Sequence, residues 1–279
     1  MSTIIYPLLV LGGLGLLFGI ALSLASKAFA VEADPKVEKI IKVLPGANCG
    51  ACGYPGCEGF ANAAVQGKAP VNGCKVGGSP VAEKVGEIMG VGAGETEKQV
   101  AKVLCQGKDC NTIKKYQYEG IKDCKAANVI AGGDKGCQYG CLGYGSCKEV
   151  CQFEAIKIVD GIAEIDPEKC TSCGQCIKVC PKGIIEMVPY AQKVVVKCKS
   201  HDFGKPVKDN CSVGCIGCQM CVKSCPTDPK AMQFDNKLAY IDYKKCINCG
   251  LCARKCPTGA IGSLLKKPEK DKKVVEKGL

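Results

Sequence analysis

The sequence predicts an α+β chain of small units. These are an N-terminal transmembrane helix (residues 1–30), a small four-cysteine domain (31–94), a connecting segment with extra cysteines (95–130), two tandem cysteine-rich modules (131–190 and 191–265) and a basic tail (266–279). Three observations predict it. Residues Ile4 to Ser26 carry no charged side chain, and 25 cysteines fall largely in runs with two or three residues between them. From Cys124 onward the chain repeats itself at an interval that preserves most of those cysteines.

At about 1.5 Å per residue, the segment from Ile4 to Ser26 spans roughly 34 Å, enough to cross a hydrocarbon core of about 30 Å. Gly15, Gly19 and Ser23 recur at four-residue spacing and form a small-residue stripe suited to close approach of a partner helix. The plainer reading is that glycine is common in membrane helices. Ala28-Phe29-Ala30 resembles a signal-peptide cleavage site, but no Lys or Arg precedes the apolar run and the run exceeds a usual signal core, so a retained anchor is expected. Lys27, Lys36, Lys39 and Lys42 follow it, which predicts a single pass through the inner (cell) membrane with the bulk of the chain in the cytoplasm. That compartment also keeps thiols reduced.

Cysteine runs this short suit metal centres better than paired disulfides. Structural zinc sites often mix cysteine with histidine, and the chain has one histidine, His201, in the polar loop Lys199-Ser200-His201-Asp202, where a solvated side chain is expected. Aromatics are few and Trp is absent, so a large conventional core is not expected and metal ligation must supply much of the folding free energy. The formal charge of +11 counts every cysteine as neutral. Four thiolates around an oxidised four-iron core leave about −2 per cluster, so five clusters contribute about −10 and bring the loaded protein near neutrality. Charge therefore gives no support to nucleic-acid binding, and no basic stretch interleaved with aromatics supports it either.

The four-cysteine unit reads Cys49-x2-Cys52-x4-Cys57-x16-Cys74, with Gly50, Gly53, Gly56 and Gly59 where backbone must pass close to a cluster. A linker is expected from Val31 to Val43 before it. A helix is expected after it, with Ser79 as N-cap, Pro80 at the first position and Gly90 as the stop, followed by a glycine-rich linker from Val91 to Gly94.

In the repeat, Cys124-x12-Cys137-x3-Cys141 is matched by Cys198-x12-Cys211-x3-Cys215, and the match continues through Cys147 with Cys221 and Cys151 with Cys225. Each copy then reaches a longer run, Cys170-x2-Cys173-x2-Cys176-x3-Cys180-Pro181 and Cys246-x2-Cys249-x2-Cys252-x3-Cys256-Pro257. Three cysteines so spaced wrap three corners of a cubane [4Fe–4S] cluster, while the fourth, before proline, ligates the neighbouring cluster. In the second copy Cys215, Cys218, Cys221 and Cys256 hold one cluster, and Cys246, Cys249, Cys252 and Cys225 the other. In the first copy Cys170, Cys173, Cys176 and Cys151 hold one cluster. The other has Cys141, Cys147 and Cys180, but Tyr144 stands where the second copy has Cys218. Cys137 is the neighbour expected to take the fourth corner, and a three-iron cluster is the alternative.

With the Cys49 unit this makes five [4Fe–4S] clusters in tandem two-cluster ferredoxin-like modules and one small Fe–S domain. Cys105, Cys110, Cys124, Cys198 and Cys211 remain, enough for a sixth cluster, with free or buried thiols as the alternative. Alternating segments near Ala155–Val159 and Lys237–Ile241, with turns at Gly161 and Asn236, predict small hairpins, and short helices are expected after the cysteine–proline runs. The tail from Lys266 mixes Lys with acids and is expected to be disordered.

No catalytic residue is expected. There is no G-x-x-x-x-G-K-[ST] loop and no strand-linked G-x-G-x-x-G, and the glycine run from Gly12 to Gly15 lies inside the apolar helix.

The anchor, the four-cysteine unit and the ferredoxin-like runs together resemble the B-type subunit of the Rnf complex. The most specific pieces are Leu44-Pro45-Gly46-Ala47-Asn48-Cys49-Gly50-Ala51-Cys52-Gly53-Tyr54-Pro55-Gly56-Cys57 and Ala69-Pro70-Val71-Asn72-Gly73-Cys74. The duplicated modules resemble the longer, anaerobe-type members. The resemblance implies an electron-transfer subunit of a membrane-bound, ion-translocating ferredoxin:NAD⁺ oxidoreductase. Such a subunit accepts electrons from soluble ferredoxin and passes them to membrane subunits of the complex, with NAD and flavin sites in those partners. Chain order alone, with the Cys49–Cys74 unit nearest the anchor, motivates the expectation that the clusters run from the ferredoxin modules toward that unit. Lys223, Lys230, Lys244 and Lys245 are candidates for the ferredoxin face, with solvated surface as the plainer reading of each. The alternative is a polyferredoxin-type subunit of another membrane oxidoreductase, such as a hydrogenase; an iron–sulfur sensor or scaffold fits the serial runs less well.

Overall fold

A computed structural model describes residues 2–28, 34–94 and 97–264; the tail expected to be disordered lies outside them. Helix α1 (Ser2–Ala28) has 27 residues. From Leu9 to Ser26 none of its side chains is buried, and the helix is long and apolar enough to cross a membrane. Leu11, Leu16 and Leu22 all face outward. Water penalises so much exposed apolar surface, whereas a hydrocarbon layer does not.

From Pro35 onward the stretch expected to be a linker is instead helical. Helix α2 (Pro35–Val43) starts at Asp34, whose carboxylate accepts the Lys36 N–H at 2.8 Å. Val37, Ile40 and Leu44 lie on one face and are buried, which is the spacing an amphipathic helix requires. They pack on α3 (Gly56–Val65) and α4 (Gly78–Met89) around Phe60 and Val85. The sequence expectation for α4 holds at its end, where Gly90 adopts φ +72°. Its start is two residues earlier than expected: Gly77 is the cap, and Ser79 and Pro80 sit inside the first turn.

The two modules share one plan. In the first, β1 (Gln99–Val103) is followed by α5 (Cys124–Val129), α6 (Ser146–Glu149), β2 (Ile156–Val159), β3 (Ile162–Ile165), α7 (Gln175–Val179) and β4 (Ile185–Pro189). β2 and β3 form the expected hairpin, closed by Asp160 and Gly161, both at positive φ. β1 pairs antiparallel with β4, Val100 opposite Val188, so the segment expected to be a connector supplies a strand of the first module's sheet.

The second module runs through β5 (Val194–Val196), α8 (Lys205–Asn210), α9 (Met220–Lys223), β6 (Met232–Asp235), β7 (Leu238–Ile241), α10 (Leu251–Lys255) and β8 (Ile261–Ser263). Here β6 pairs with β7 and β5 with β8, all antiparallel. The short helices differ from expectation: α7 and α10 lie within the cysteine runs rather than after the Cys–Pro step, where strands β4 and β8 follow instead. The three-residue gap from Cys176 to Cys180 is one helical turn, which explains the placement. Each module's core is Ile and Val from the strands, packed directly on cysteines.

Candidate iron–sulfur sites

The cysteines are arranged around cavities, and none is in a disulfide. In the four-cysteine domain Cys49, Cys52, Cys57 and Cys74 surround a cavity of about 340 Å³ floored by Leu44 and Phe60. The loop is held by Asn48, whose side-chain oxygen accepts the Cys57 N–H at 2.8 Å. Gly56, at φ +78°, lies so close that a Cβ there would stand 2.9 Å from that oxygen.

In the second module Cys215, Cys218, Cys221 and Cys256 line a cavity of about 370 Å³. Cys225, Cys246, Cys249 and Cys252 line another of about 340 Å³. In the first module Cys151, Cys170, Cys173 and Cys176 are near neighbours: the charges of the other three act on the Cys176 thiol. These are the groupings the spacing predicts.

The remaining first-module site is a correction. Its cavity, about 350 Å³, is lined by Cys141, Cys147 and Cys180 together with Cys124. Cys137, expected there, lines a different cavity with Cys105, Cys198 and Cys211. The cause is local. Asp123 caps α5 by accepting the Lys125 and Ala126 N–H groups, and buried Ser146 accepts the Cys124 N–H at 2.7 Å while donating to Asp123 at 2.6 Å. This lock carries Cys124 to the place left by Tyr144. The repeat held a signal for it, since Cys124 is an unassigned cysteine equivalent to Cys198. Of the five cysteines left over in the sequence, only Cys110, which is exposed, joins no group.

Burial governs the electrostatics. It pushes the Cys147, Cys176, Cys198 and Cys221 thiols up to about 12, and Cys141 and Cys252 to about 11. Neighbouring cysteines add to the rise at Cys147 and Cys176. Surroundings this apolar disfavour bare thiolates, so these sulfurs need a cationic metal core to carry charge. Backbone N–H groups already point at cysteine sulfurs in both modules, as Ala101 does at Cys170 (3.4 Å) and Cys215 at Cys198 (3.3 Å). Among the described residues no three His, Cys, Asp or Glu side chains are disposed around a single metal ion. Four sulfurs around an open cavity suit a polynuclear cluster. His201 donates from Nδ1 to the Asn236 carbonyl at 2.9 Å and packs edge-on against Tyr139, so it braces a turn rather than being free in solvent.

Small antiparallel sheets packed on cysteine-lined cavities, in series behind an apolar helix, define a multi-site iron–sulfur protein of the electron-transfer class. The comparisons with known proteins agree. Residues 44–76 match the Fe-S cluster family model, 163–186 the 4Fe-4S binding domain and 214–260 the 4Fe-4S dicluster domain. The chain is 46% identical to the B-type subunit of the Na(+)-translocating ferredoxin:NAD(+) oxidoreductase complex of Acetobacterium woodii, over 88% of this chain and 73% of that protein. It is 44% identical to the B-type subunit of the ion-translocating oxidoreductase complex of Methanosarcina acetivorans, over 88% of this chain and 92% of that one. Against the B-type subunit of the proton-translocating ferredoxin:NAD(+) oxidoreductase complex of Clostridium ljungdahlii the figures are 42%, 87% and 85%. The chain belongs to the family of B-type Rnf complex subunits, and is an electron-transfer subunit of an oxidoreductase complex.

Proposed function

We propose that this chain accepts electrons from reduced ferredoxin at its C-terminal module and relays them to the membrane subunits of its complex. In this reading α1 crosses the inner membrane once and the cysteine-bearing units lie in the cytoplasm. Held by the five sets around Cys49, Cys141, Cys151, Cys215 and Cys225, [4Fe–4S] clusters supply one-electron uptake and release. Ion passage falls to partner subunits, because the span from Ile4 to Ser26 offers no charged side chain.

The observation that carries the reading is the difference between the two ends of the series. Within the five sets only Cys218 and Cys249 are exposed, and both belong to the C-terminal module. Beside Cys249, Ile247 is 65% exposed and Lys244 and Lys245 lie on the surface, an apolar point ringed by cations that suits a partner with an acidic face. At the other end Gln175 of α7 donates to the Cys49 carbonyl, and Cys49 is close enough for its charge to act on Cys173. The Cys151 set therefore adjoins the four-cysteine domain, which in turn follows the anchor.

The test is anaerobic stopped-flow reduction of the full chain by reduced ferredoxin. Lys244→Glu with Lys245→Glu should slow the reaction about tenfold or more at low salt and flatten its salt dependence. An unchanged rate and salt dependence would remove this docking face. Iron far below about 20 per chain, with stoichiometric zinc, would sink the electron-transfer reading itself.

A further inference from the structure

Lys182 follows the Cys180-Pro181 step, in the wall of the cavity lined by Cys124, Cys141, Cys147 and Cys180. It is half-buried, and its Nζ donates to the Gly132 carbonyl at 2.7 Å and the Gln138 carbonyl at 2.6 Å. Both acceptors belong to the loop that leads to Cys141, so the ammonium is tied to that site. We propose that Lys182 is a tuning residue, which raises the reduction potential of a cluster held by the Cys141 set above that of the equivalent Cys215 set.

Three observations support this. First, the charge is not cancelled locally. Among the described residues no carboxylate forms an ion pair with Lys182, and its two acceptors are neutral. It lies close enough to Cys180 and Cys137 for their charges to act on it. Secondly, Lys182 is the one charged side chain among the residues that line this cavity. A wall otherwise apolar screens such a charge less than water does.

Thirdly, the repeat supplies an internal comparison. Cys180-Pro181-Lys182-Gly183 corresponds to Cys256-Pro257-Thr258-Gly259. Thr258 lines the cavity of the Cys215 set, with its hydroxyl 3.7 Å from Cys256 Sγ, and no residue lining that cavity is charged. Two equivalent sites therefore differ by one full charge at one position. Lys135 acts in the same sense: it is 2% exposed and its charge reaches the Cys141 thiol, although Asp109, at 3.6 Å, offsets part of it. The second copy has Asp209 at the corresponding place.

Uptake of one electron takes four thiolates and a four-iron core from about −2 to about −3. A fixed cation stabilises the more negative state, so the potential rises. The consequence for direction rests on the electron-transfer reading above. One electron leaves the second module and enters the first, no bond is made or broken, and reduced ferredoxin is the ultimate donor. The Lys182 charge makes that transfer favourable and so draws electrons toward the four-cysteine domain.

The experiment is a redox titration of the full chain, purified anaerobically and followed by EPR, with iron measured per chain. Lys182→Met should move one one-electron wave about 59 mV lower, which is about tenfold less reduced protein at a fixed potential. The other waves should stay in place, and Lys182→Arg should keep the wild-type position. Thr258→Lys should raise a different wave by a similar amount. A full iron content with every wave unmoved in Lys182→Met would overturn the proposal and leave the electron-transfer reading standing. A Lys182→Arg wave displaced as far as that of Lys182→Met would also overturn it, because packing rather than charge would then be the cause. Should Lys182→Met fail to fold, Thr258→Lys decides: a raised wave supports the proposal and unmoved waves overturn it. Iron far below about 20 in the wild-type chain counts against the electron-transfer reading and this one together.

Discussion

Replacing Ser146 with alanine tests the lock that brings Cys124 to the first module. Ser146 is 3% exposed, and its hydroxyl takes the Cys124 N–H and donates to Asp123. Alanine leaves the Cys124 amide with no acceptor, at a cost of about 1–3 kcal/mol for a buried donor. Asp123 is half-exposed and keeps its two backbone donors, so water makes good most of what it loses. A local cost of about 2 kcal/mol corresponds to roughly 30-fold in the population in which α5 has opened. The assay is iron release to a chelator under anaerobic conditions, and S146A should lose iron from the Cys141 site about 30-fold faster than wild type.

The same lock makes the rate depend on pH. The Ser146 hydroxyl, then the Ala126 N–H, hold the Asp123 carboxyl below its usual range. Its stabilising contribution is therefore complete above the ordinary carboxylate range and is lost as pH falls through the lowered value. With less depression in S146A, that smaller contribution should disappear at a higher pH. Unchanged iron release at neutral pH, together with loss of the same iron in a Cys137→Ser variant, would refute the reasoning.

Cys124→Ser should cost the Cys141 site about one iron and produce the EPR signal of a three-iron cluster in the oxidised chain, and adding Tyr144→Cys should restore the four-iron form. No such signal, or no rescue, would count against Cys124 as the fourth ligand. Phe60 is 1% exposed and meets Tyr54 edge-on at 6.1 Å between ring centres. Phe60→Ala should cost the four-cysteine domain about 3–5 kcal/mol in denaturant unfolding, and a loss below about 1 kcal/mol would contradict its place in that core. Lys135 donates to the Gly107 and Gly161 carbonyls at 3.0 and 2.7 Å. Lys135→Met strands both, so about 2–4 kcal/mol should vanish from the thermal stability of the paired modules, and an unchanged midpoint would show that water replaces it.

Where four cysteines come from one short stretch or from a complete repeat, spacing alone groups them as the fold does. The Cys49, Cys215 and Cys225 groups are of this kind, and each lines one cavity as the spacing predicts. The hairpins were legible for a similar reason, since Asp160-Gly161 and Asn236-Lys237 set both turn residues at positive φ. Reading α2 as a linker gave too much weight to its lysines and too little to Val37, Ile40 and Leu44 at helical spacing. The Cys137 assignment failed because closeness in sequence is a poor guide within a turn. Gly140 N–H to Cys137 O and Gly214 N–H to Cys211 O close the same turn in both copies, at 3.4 Å each. That turn directs the first cysteine away from the one four residues further on. Cys105 could not be placed from sequence at all, because β1 must pair with β4, more than eighty residues later, before it reaches the junction, the cavity that Cys137, Cys198 and Cys211 also line.

The misplacements of Cys137 and Cys105 have one root, the difference at Tyr144. In the second copy Cys218 completes its own site, which releases Cys198 to the junction. In the first copy Tyr144 cannot ligate, so the equivalent of Cys198, Cys124, is drawn inward by the Asp123–Ser146 lock. The junction then holds Cys137 and Cys211, one from each copy, but only one of the pair Cys124 and Cys198. Its fourth cysteine comes from outside the repeat, as Cys105 at the end of β1. A chain with cysteine at 144 and no Cys105 could fill the same cavities symmetrically, with Cys124 at the junction. The pairing of β1 with β4 would then have no ligand to deliver. Tyr144, Cys124 and Cys105 thus form one linked set, and exchanging any one of them alone leaves a cavity with three cysteines or with five.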